Sequence, residues 1–235
     1  MLLGGLQKLT LIDYPGKVAM TVFTVGCNFR CPFCHNPELV FSDLSGSTGS
    51  ISEKEFFSFL KKRQEKIDGV CITGGEPTIQ KDILNFIKRI KELGFLVKLD
   101  TNGSRPDVLK KALDKNLVDF IAMDIKNCLE KYNQTNGAET DLEKIKLSVE
   151  MIKNSRKDYE FRTTVVPSLH TEKDFDRIGV WLKGSRSYAL QEYKNEGKIL
   201  DETFGEKIKL ESKLDLEKIR GKLEEKKYFE KVIIK

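Results

Sequence analysis

The 235-residue sequence predicts an α/β fold, a partial (β/α)6 barrel with a short N-terminal arm and a C-terminal extension. Three observations carry that expectation. Short apolar runs alternate with amphipathic runs six times, the pattern of βα units around a parallel sheet. The amphipathic runs open on recurring helix-start chemistry. The unusual polar residues fall directly after the apolar runs, on what becomes one rim of the sheet, and the C-terminal ends of barrel strands are where active sites are built. Six units over this length fit an open or partial barrel rather than a closed one of eight strands.

Taken in order, residues 6–14 precede Pro15-Gly16 and read as an antiparallel arm. The strand candidates are 18–25, 70–73, 95–100, 118–124, 161–166 and 187–191, with 231–234 as a further one; their length and β-branched content suit buried parallel strands. Ser52-Glu53-Lys54-Glu55 is a capping box, with Ile51 and Phe56 placed as its hydrophobic staple. Ile83, Ile87 and Ile90 share a helical face that stops at Gly94. Ser104-Arg105-Pro106-Asp107 offers a cap hydroxyl, an early proline and an early acid. Thr140-Asp141-Leu142-Glu143 reads as a second capping box, and Thr171-Glu172-Lys173-Asp174 and Ser212-Lys213-Leu214-Asp215 as weaker versions. Residues 43–50, rich in Ser and Gly, read as a loop after the cysteines.

Hydrophobic residues make up 39% and charged residues 33%, a globular composition that is neither disordered nor fibrous. The longest apolar stretch, 18–25, is far short of the roughly 20 residues of a membrane helix. No signal peptide is readable, so the expected compartment is the cytoplasm and no membrane partner is expected. The net charge of +5 arises from 41 basic and 36 acidic residues that alternate in sign, as on solvated helix faces, and nothing here demands nucleic acid. One domain is expected over 1–235, with a core of about 12–191 and an extension of about 192–235.

Five cysteines, an odd number with three inside eight residues, argue against a disulfide framework and for a metal or redox site. Cys27, Cys31 and Cys34 spell C-x-x-x-C-x-x-C. Thiolates are soft ligands for iron–sulfur clusters, zinc or copper. Cys31-x-x-Cys34-His35 also spells the c-haem attachment pattern, but that chemistry needs export. Zinc on Cys27, Cys31, Cys34 and His35 would crowd two adjacent residues into one tetrahedron. A thioredoxin-like Cys31–Cys34 pair leaves the third cysteine unexplained. Cys71, inside an apolar run, reads as a buried small residue, and Cys128, with no second cysteine nearby, as a spare thiol. Around the same rim, Gly74-Gly75-Glu76-Pro77 follows the second strand and Asp100-Thr101-Asn102-Gly103 the third. Asp124 and Lys126 end the fourth, His170 follows the fifth and Gln191 ends the sixth.

Cys27-Asn28-Phe29-Arg30-Cys31-Pro32-Phe33-Cys34 followed by Gly74-Gly75-Glu76-Pro77 resembles the radical S-adenosylmethionine (SAM) superfamily over roughly 12–191. Leu11-Ile12-Asp13-Tyr14-Pro15-Gly16, Cys34-His35-Asn36-Pro37, Asp100-Thr101-Asn102-Gly103 and Met123-Asp124-Ile125-Lys126 resemble the glycyl radical enzyme activating enzymes, above all those of anaerobic ribonucleotide reductase. The resemblance implies a radical SAM barrel with a 4Fe–4S cluster on Cys27, Cys31 and Cys34 and SAM on its fourth iron. It implies that Gly74 and Gly75 leave room for the SAM methionine, that Glu76 assists as an acceptor and that Phe33 meets the adenine. Asp100, Thr101, Asn102 and Asp124 are implied to hold the cofactor, with Asp100, Thr101 and Asp124 also candidates for a monovalent cation. Lys126 and His170 are implied to reach the SAM carboxylate or ribose; the alternatives are a strand-end ion pair for Asp124 and Lys126 and a loop residue capping the next helix for His170.

The implied reaction is reductive cleavage of SAM to methionine and a 5′-deoxyadenosyl radical, which takes hydrogen from a glycine of a partner, anaerobic ribonucleotide reductase. The electron comes from a flavodoxin- or ferredoxin-like donor. Residues 36–51 carry no cysteine, unlike activating enzymes with a ferredoxin-like insert. The competing readings are a radical SAM enzyme acting on a small molecule, similar to 7-carboxy-7-deazaguanine synthase, and a non-catalytic zinc-binding module. Residues 192–204 are either a partner contact or an ordinary surface loop.

Overall fold

The computed structural model describes residues 1–41, 50–194, 197–208 and 213–235. The expected loop at 43–50 therefore lies, except for Ser50, outside the described residues, as does Ser212 of the last expected helix start. Among the described residues, eight strands form one sheet in sequential order. They are β1 (Leu3–Thr10), β2 (Ala19–Thr24), β3 (Gly69–Gly74), β4 (Leu96–Thr101), β5 (Phe120–Asp124), β6 (Asp158–Val165), β7 (Ser185–Glu192) and β8 (Phe229–Ile234). β1 runs antiparallel to β2, and every later pair is parallel. Sequential parallel pairing puts the C-terminal ends of β2 to β7 on one rim, so the residues that follow each strand are collected there. β1 and β8 are the two edges, and the barrel is open between them. The arm begins earlier in the chain than the sequence predicts, and residues 11–18 form the turn into β2. The candidate at 231–234 is the end of a seventh parallel strand that continues the sheet.

The helices α1 (Glu53–Lys61), α2 (Ile83–Glu92), α3 (Pro106–Asp114), α4 (Tyr132–Asn136), α5 (Leu142–Asn154), α6 (Glu172–Trp181), α7 (Glu202–Ile208) and α8 (Leu216–Glu225) form the crossovers. α1 starts on the expected capping box, with Glu55 accepting from Ser52 N–H at 2.9 Å and Ser52 Oγ from Glu55 N–H at 3.2 Å. The α2 stripe of Ile83, Phe86, Ile87 and Ile90 is fully buried, and Phe86 packs on Phe56 and Phe57 of α1 with ring centroids 5.0 and 5.2 Å apart. Burying side chains of this size contributes about 1.5–3 kcal/mol each. No helix among the described residues is long and apolar enough to cross a membrane.

Three expected caps differ. Ser104 does not cap α3; its hydroxyl accepts from Asn28 Nδ2 at 2.9 Å, and Pro106 starts the helix without a side-chain cap. Asp141 rather than Thr140 caps α5, accepting from Glu143 N–H at 3.1 Å, because Thr140 Oγ1 is taken by Asn136 Nδ2. Asp215 caps α8, accepting from Lys218 N–H at 2.9 Å. α4 and α7, both short, have no strong apolar period and were not expected from the sequence.

Candidate active site at the rim of the parallel strands

The three clustered cysteines lie on the loop that leaves β2. This loop is held by its backbone. Gly26 and Cys27 N–H donate to Leu39 and Val40 carbonyls at 2.8 and 2.9 Å, and Arg30 N–H donates to the Asn136 carbonyl at 2.8 Å. Gly137, at φ +66°, lets the chain pass so close to Arg30 that an added Cβ would stand 2.1 Å from the Arg30 carbonyl oxygen. All three thiols are free, and with Phe33 they line one cavity. Phe29 N–H donates to Cys27 Sγ at 3.4 Å. Burial pushes the Cys27 thiol up to about 12 and the Cys31 thiol up to about 11, with the Lys126 charge pulling against it in both. Thiols in this state need a bound cation to become thiolates.

A cubane takes one thiolate per iron, so its ligands need only face a common space, as Cys27, Cys31 and Cys34 do.

The second wall is the turn after β3. Gly75 and Glu76 N–H donate to the Thr24 and Gly26 carbonyls, both at 2.8 Å. A Cβ on Gly75 would lie 2.1 Å from the Gly26 carbonyl oxygen, and one on Gly74, at φ +106°, 2.5 Å from Thr24 N. The glycines line the cavity, but what forbids a side chain there is the backbone of β2 and the cysteine loop. Glu76 is buried. Its carboxylate accepts from Thr78 N–H at 3.0 Å, Thr101 Oγ1 at 2.8 Å and Asn102 N–H at 2.6 Å, as well as from the Thr78 hydroxyl. Burial raises it, and these donors only partly offset that. Glu76 thus ties the ends of β3 and β4 together. Asn102 in turn donates from Nδ2 to Asn28 Oδ1 at 2.9 Å, fixing the cysteine loop to β4.

The third wall is a line of buried charge across β4, β5 and β6. Arg162 Nη2 is 3.1 Å from Asp100 Oδ2, and its Nε donates to Asp124 Oδ1. Lys126 Nζ donates to Asp124 Oδ2 at 2.9 Å, and Lys98, beneath the cavity, pairs with Asp100. Burial alone would raise both carboxyls, but Arg162 together with Lys98 or Lys126 holds them below the ordinary carboxylate range. Burial likewise pulls Lys126 down, and Asp124 outweighs it, so Lys126 stays charged. Lys126 and Arg162 line the cavity beside the carboxyls of Glu76, Asp100 and Asp124.

The structure thus brings together Cys27, Cys31, Cys34, Phe33, Gly74, Gly75, Glu76, Asp100, Thr101, Asn102, Asp124 and Lys126 around one cavity. His170 is not among the residues lining it. It is 1% exposed, its Nε2 lies 2.9 Å from the Lys126 carbonyl oxygen, and its ring stacks on Phe175, so it supports Lys126 from behind. Gln191 is also outside the lining. The sequence reading missed Arg162 and Thr164, which line the cavity from β6. The signal was present: Glu160, Arg162 and Thr164 alternate with Phe161, Thr163 and Val165 in a buried strand, so one face of that strand had to be polar.

Residues 21–181 match the model of the radical SAM superfamily. The chain belongs to the radical SAM superfamily. A protein of Methanocaldococcus jannaschii named "Putative glycyl-radical enzyme activating enzyme" is 34% identical over 239 residues, covering 100% of this chain and 95% of the relative. The pyruvate formate-lyase-activating enzyme of Listeria monocytogenes serovar 1/2a is 33% identical over 131 residues, 51% of each chain. Among solved structures, Streptococcus suis SuiB bound to S-adenosylmethionine superposes with a TM-score of 0.61 at 15% identity, covering 86% of this chain and 44% of that one, a likeness of fold. This radical SAM chain is an enzyme, and its family implies a 4Fe–4S cluster and SAM. The donors present fit both: three free thiols on one loop satisfy three irons and leave one for a non-protein ligand, and Lys126 and Arg162 line the cavity beside them.

Proposed function

We propose that this chain is an activating enzyme that installs a glycyl radical on a partner enzyme, and that the partner is anaerobic ribonucleotide reductase. The observation that carries this reading is the end-to-end similarity to a glycyl-radical enzyme activating relative, 100% of one chain against 95% of the other. In this reading Cys27, Cys31 and Cys34 hold the 4Fe–4S cluster and the cavity beside them takes SAM. When bound, the cluster and SAM supply reductive cleavage to a 5′-deoxyadenosyl radical, the species that removes hydrogen from a glycine Cα.

The chain's own residues do the holding. Gly74 and Gly75 offer backbone groups to the SAM ammonium. Lys126 and Arg162 bring positive charge to its carboxylate. Phe33 offers an aromatic face to adenine, and Thr101 and Asn102 keep the β4 turn in place through Glu76 and Asn28. Asp100 and Asp124 position Arg162, Lys98 and Lys126, and with Thr101 they stay the candidates for a monovalent cation in this reading. Residues 1–235 act as one domain in this reading, supported by β8 pairing with β7. A flavodoxin- or ferredoxin-like protein supplies the electron, and the compartment is cytoplasmic.

The test is anaerobic reconstitution with iron and sulfide, followed by reductant, SAM and the candidate reductase. Wild type is expected to form 5′-deoxyadenosine and a glycyl radical signal on the reductase by electron paramagnetic resonance, and Cys31→Ala neither. Product formation with turnover of a small molecule and no radical on any glycyl radical enzyme would sink the partner reading.

A further inference from the structure

Three thiolates on one eight-residue loop serve a cluster only if the loop keeps its shape, and loops are mobile unless something pins them. The first half of the cysteine loop is pinned by Leu39, Val40 and Asn136. The second half is met from the far end of the chain. Leu200 N–H donates to the Cys34 carbonyl and Asp201 N–H to the Pro32 carbonyl, both at 3.0 Å. Just past β7, Tyr193 is 6% exposed. Its ring stacks on His35 at 5.1 Å between centroids and meets Phe33 edge-on at 6.3 Å. Phe33 and His35 are the residues on either side of Cys34. Ile199 is buried at 6% exposure, and Asp201 Oδ1 accepts from Phe204 N–H at 3.0 Å, fixing the strap to the start of α7.

We infer that Tyr193 and residues 199–201 form a strap that positions Cys34, so that Tyr193 is a positioning residue for the cysteine loop. In the stretch 192–204, expected to be a partner contact or an ordinary surface loop, Tyr193 and residues 199–201 take this inward role while Glu192, Lys194, Gly197, Lys198, Glu202 and Thr203 stay exposed; 195 and 196 lie outside the described residues. The inference about loop shape stands on the protein alone, and its consequence for the cluster rests on the proposed function.

Two measurements on the full chain separate these. The first is hydrogen exchange of the protein without cluster. Tyr193→Phe keeps the stacked ring and is expected to match wild type within about twofold, whereas Tyr193→Ala is expected to speed exchange at residues 33–36 and 200–201 about tenfold, with β4 unchanged. If Tyr193→Ala fails to give a cooperative melt, Tyr193→Leu, which keeps apolar volume without a ring, is read in its place. Unchanged exchange in the ring-less variant would overturn the strap. The second is the rate at which reconstituted protein loses its cluster to a chelator, expected to rise about tenfold in the ring-less variant and not in Tyr193→Phe. Equal rates would overturn the positioning role. Wild type that takes up no cluster would overturn that consequence and the ligand reading, while the exchange experiment still decides the strap.

Discussion

Two of the cavity's walls are built by different forces. Where β2 meets β3, backbone touches backbone: Gly75 and Glu76 donate to Thr24 and Gly26, and a Cβ on Gly75 has nowhere to go. Across β4 to β6, side chains reach one another through charge, with Arg162 between Asp100 and Asp124 and with Lys98 and Lys126 at the two ends. The first wall is intolerant of volume and the second of lost charge. The difference matters because a variant of either could abolish the same activity for unrelated reasons, and stability measured against pH tells them apart.

The largest effect is expected at Arg162. Arg162→Met keeps most of the length and removes the charge, leaving Asp100 and Asp124 with one cation each. Removing one partner of a buried ionic network costs about 3–5 kcal/mol, to be read by urea unfolding at neutral pH. The sign with pH follows from the carboxyls. Both are held below their ordinary value of 3.8 in the folded chain. The stability they contribute is therefore full above that value and is lost as pH falls through it toward the folded values. Without Arg162 the depression shrinks, so the wild-type and variant curves should converge as pH falls below 3.8. Parallel curves would mean that the arginine contributes volume rather than charge.

Gly75→Ala should cost less, about 2–3 kcal/mol, as the added methyl displaces the cysteine loop. Its difference from wild type should be flat over the same pH range, since no titrating group is added or removed. A pH-dependent difference would show that the turn acts through Glu76, the one buried acid on that wall, and would erase the contrast between the walls.

The same contrast explains what could be read from the sequence. The first wall is local text: Cys27 to Cys34 and Gly74 to Pro77 each occupy a few consecutive positions, and steric demands on a tight backbone leave residue types that stand out. The parallel strands were legible because apolar runs set their own boundaries, and even β8 was visible as a candidate. The second wall draws on positions 98, 100, 124, 126 and 162, and its central member, Arg162, sits inside a strand chosen for its apolar neighbours. Only pairing of β5 with β6, which sets Asp124 opposite Arg162, brings it into register. The strap is harder still: nothing near Tyr193 or Leu200 says that they will meet a loop more than 150 residues earlier. His170 misled in the opposite way, being of the right type, at the right strand end, and facing backbone.

His170 also gives the smallest and most selective test, because it lies behind the charged wall without belonging to it. Nδ1 lies 3.1 Å from both the N–H and the carbonyl oxygen of Val166, and Nε2 lies 2.9 Å from the Lys126 carbonyl oxygen, which fits a neutral ring that donates from Nε2. Burial holds its pKa below the ordinary 6.5, against the backbone acceptors and Asp174, while the nearby Lys131 charge adds to the depression. The unfolded chain then takes up a proton that the folded chain resists. Stability is full above pH 6.5 and falls as pH drops through that value, by at most about 1.4 kcal/mol per pH unit. His170→Gln should remove that slope over the first pH unit below 6.5 while leaving the acid limb of Asp100 and Asp124 in place. This window does not overlap the one set by Arg162, so a double variant should lose both features additively. A wild type with no slope near 6.5 would place a second proton on the buried ring, with Nδ1 donating to the Val166 carbonyl as Nε2 does to that of Lys126.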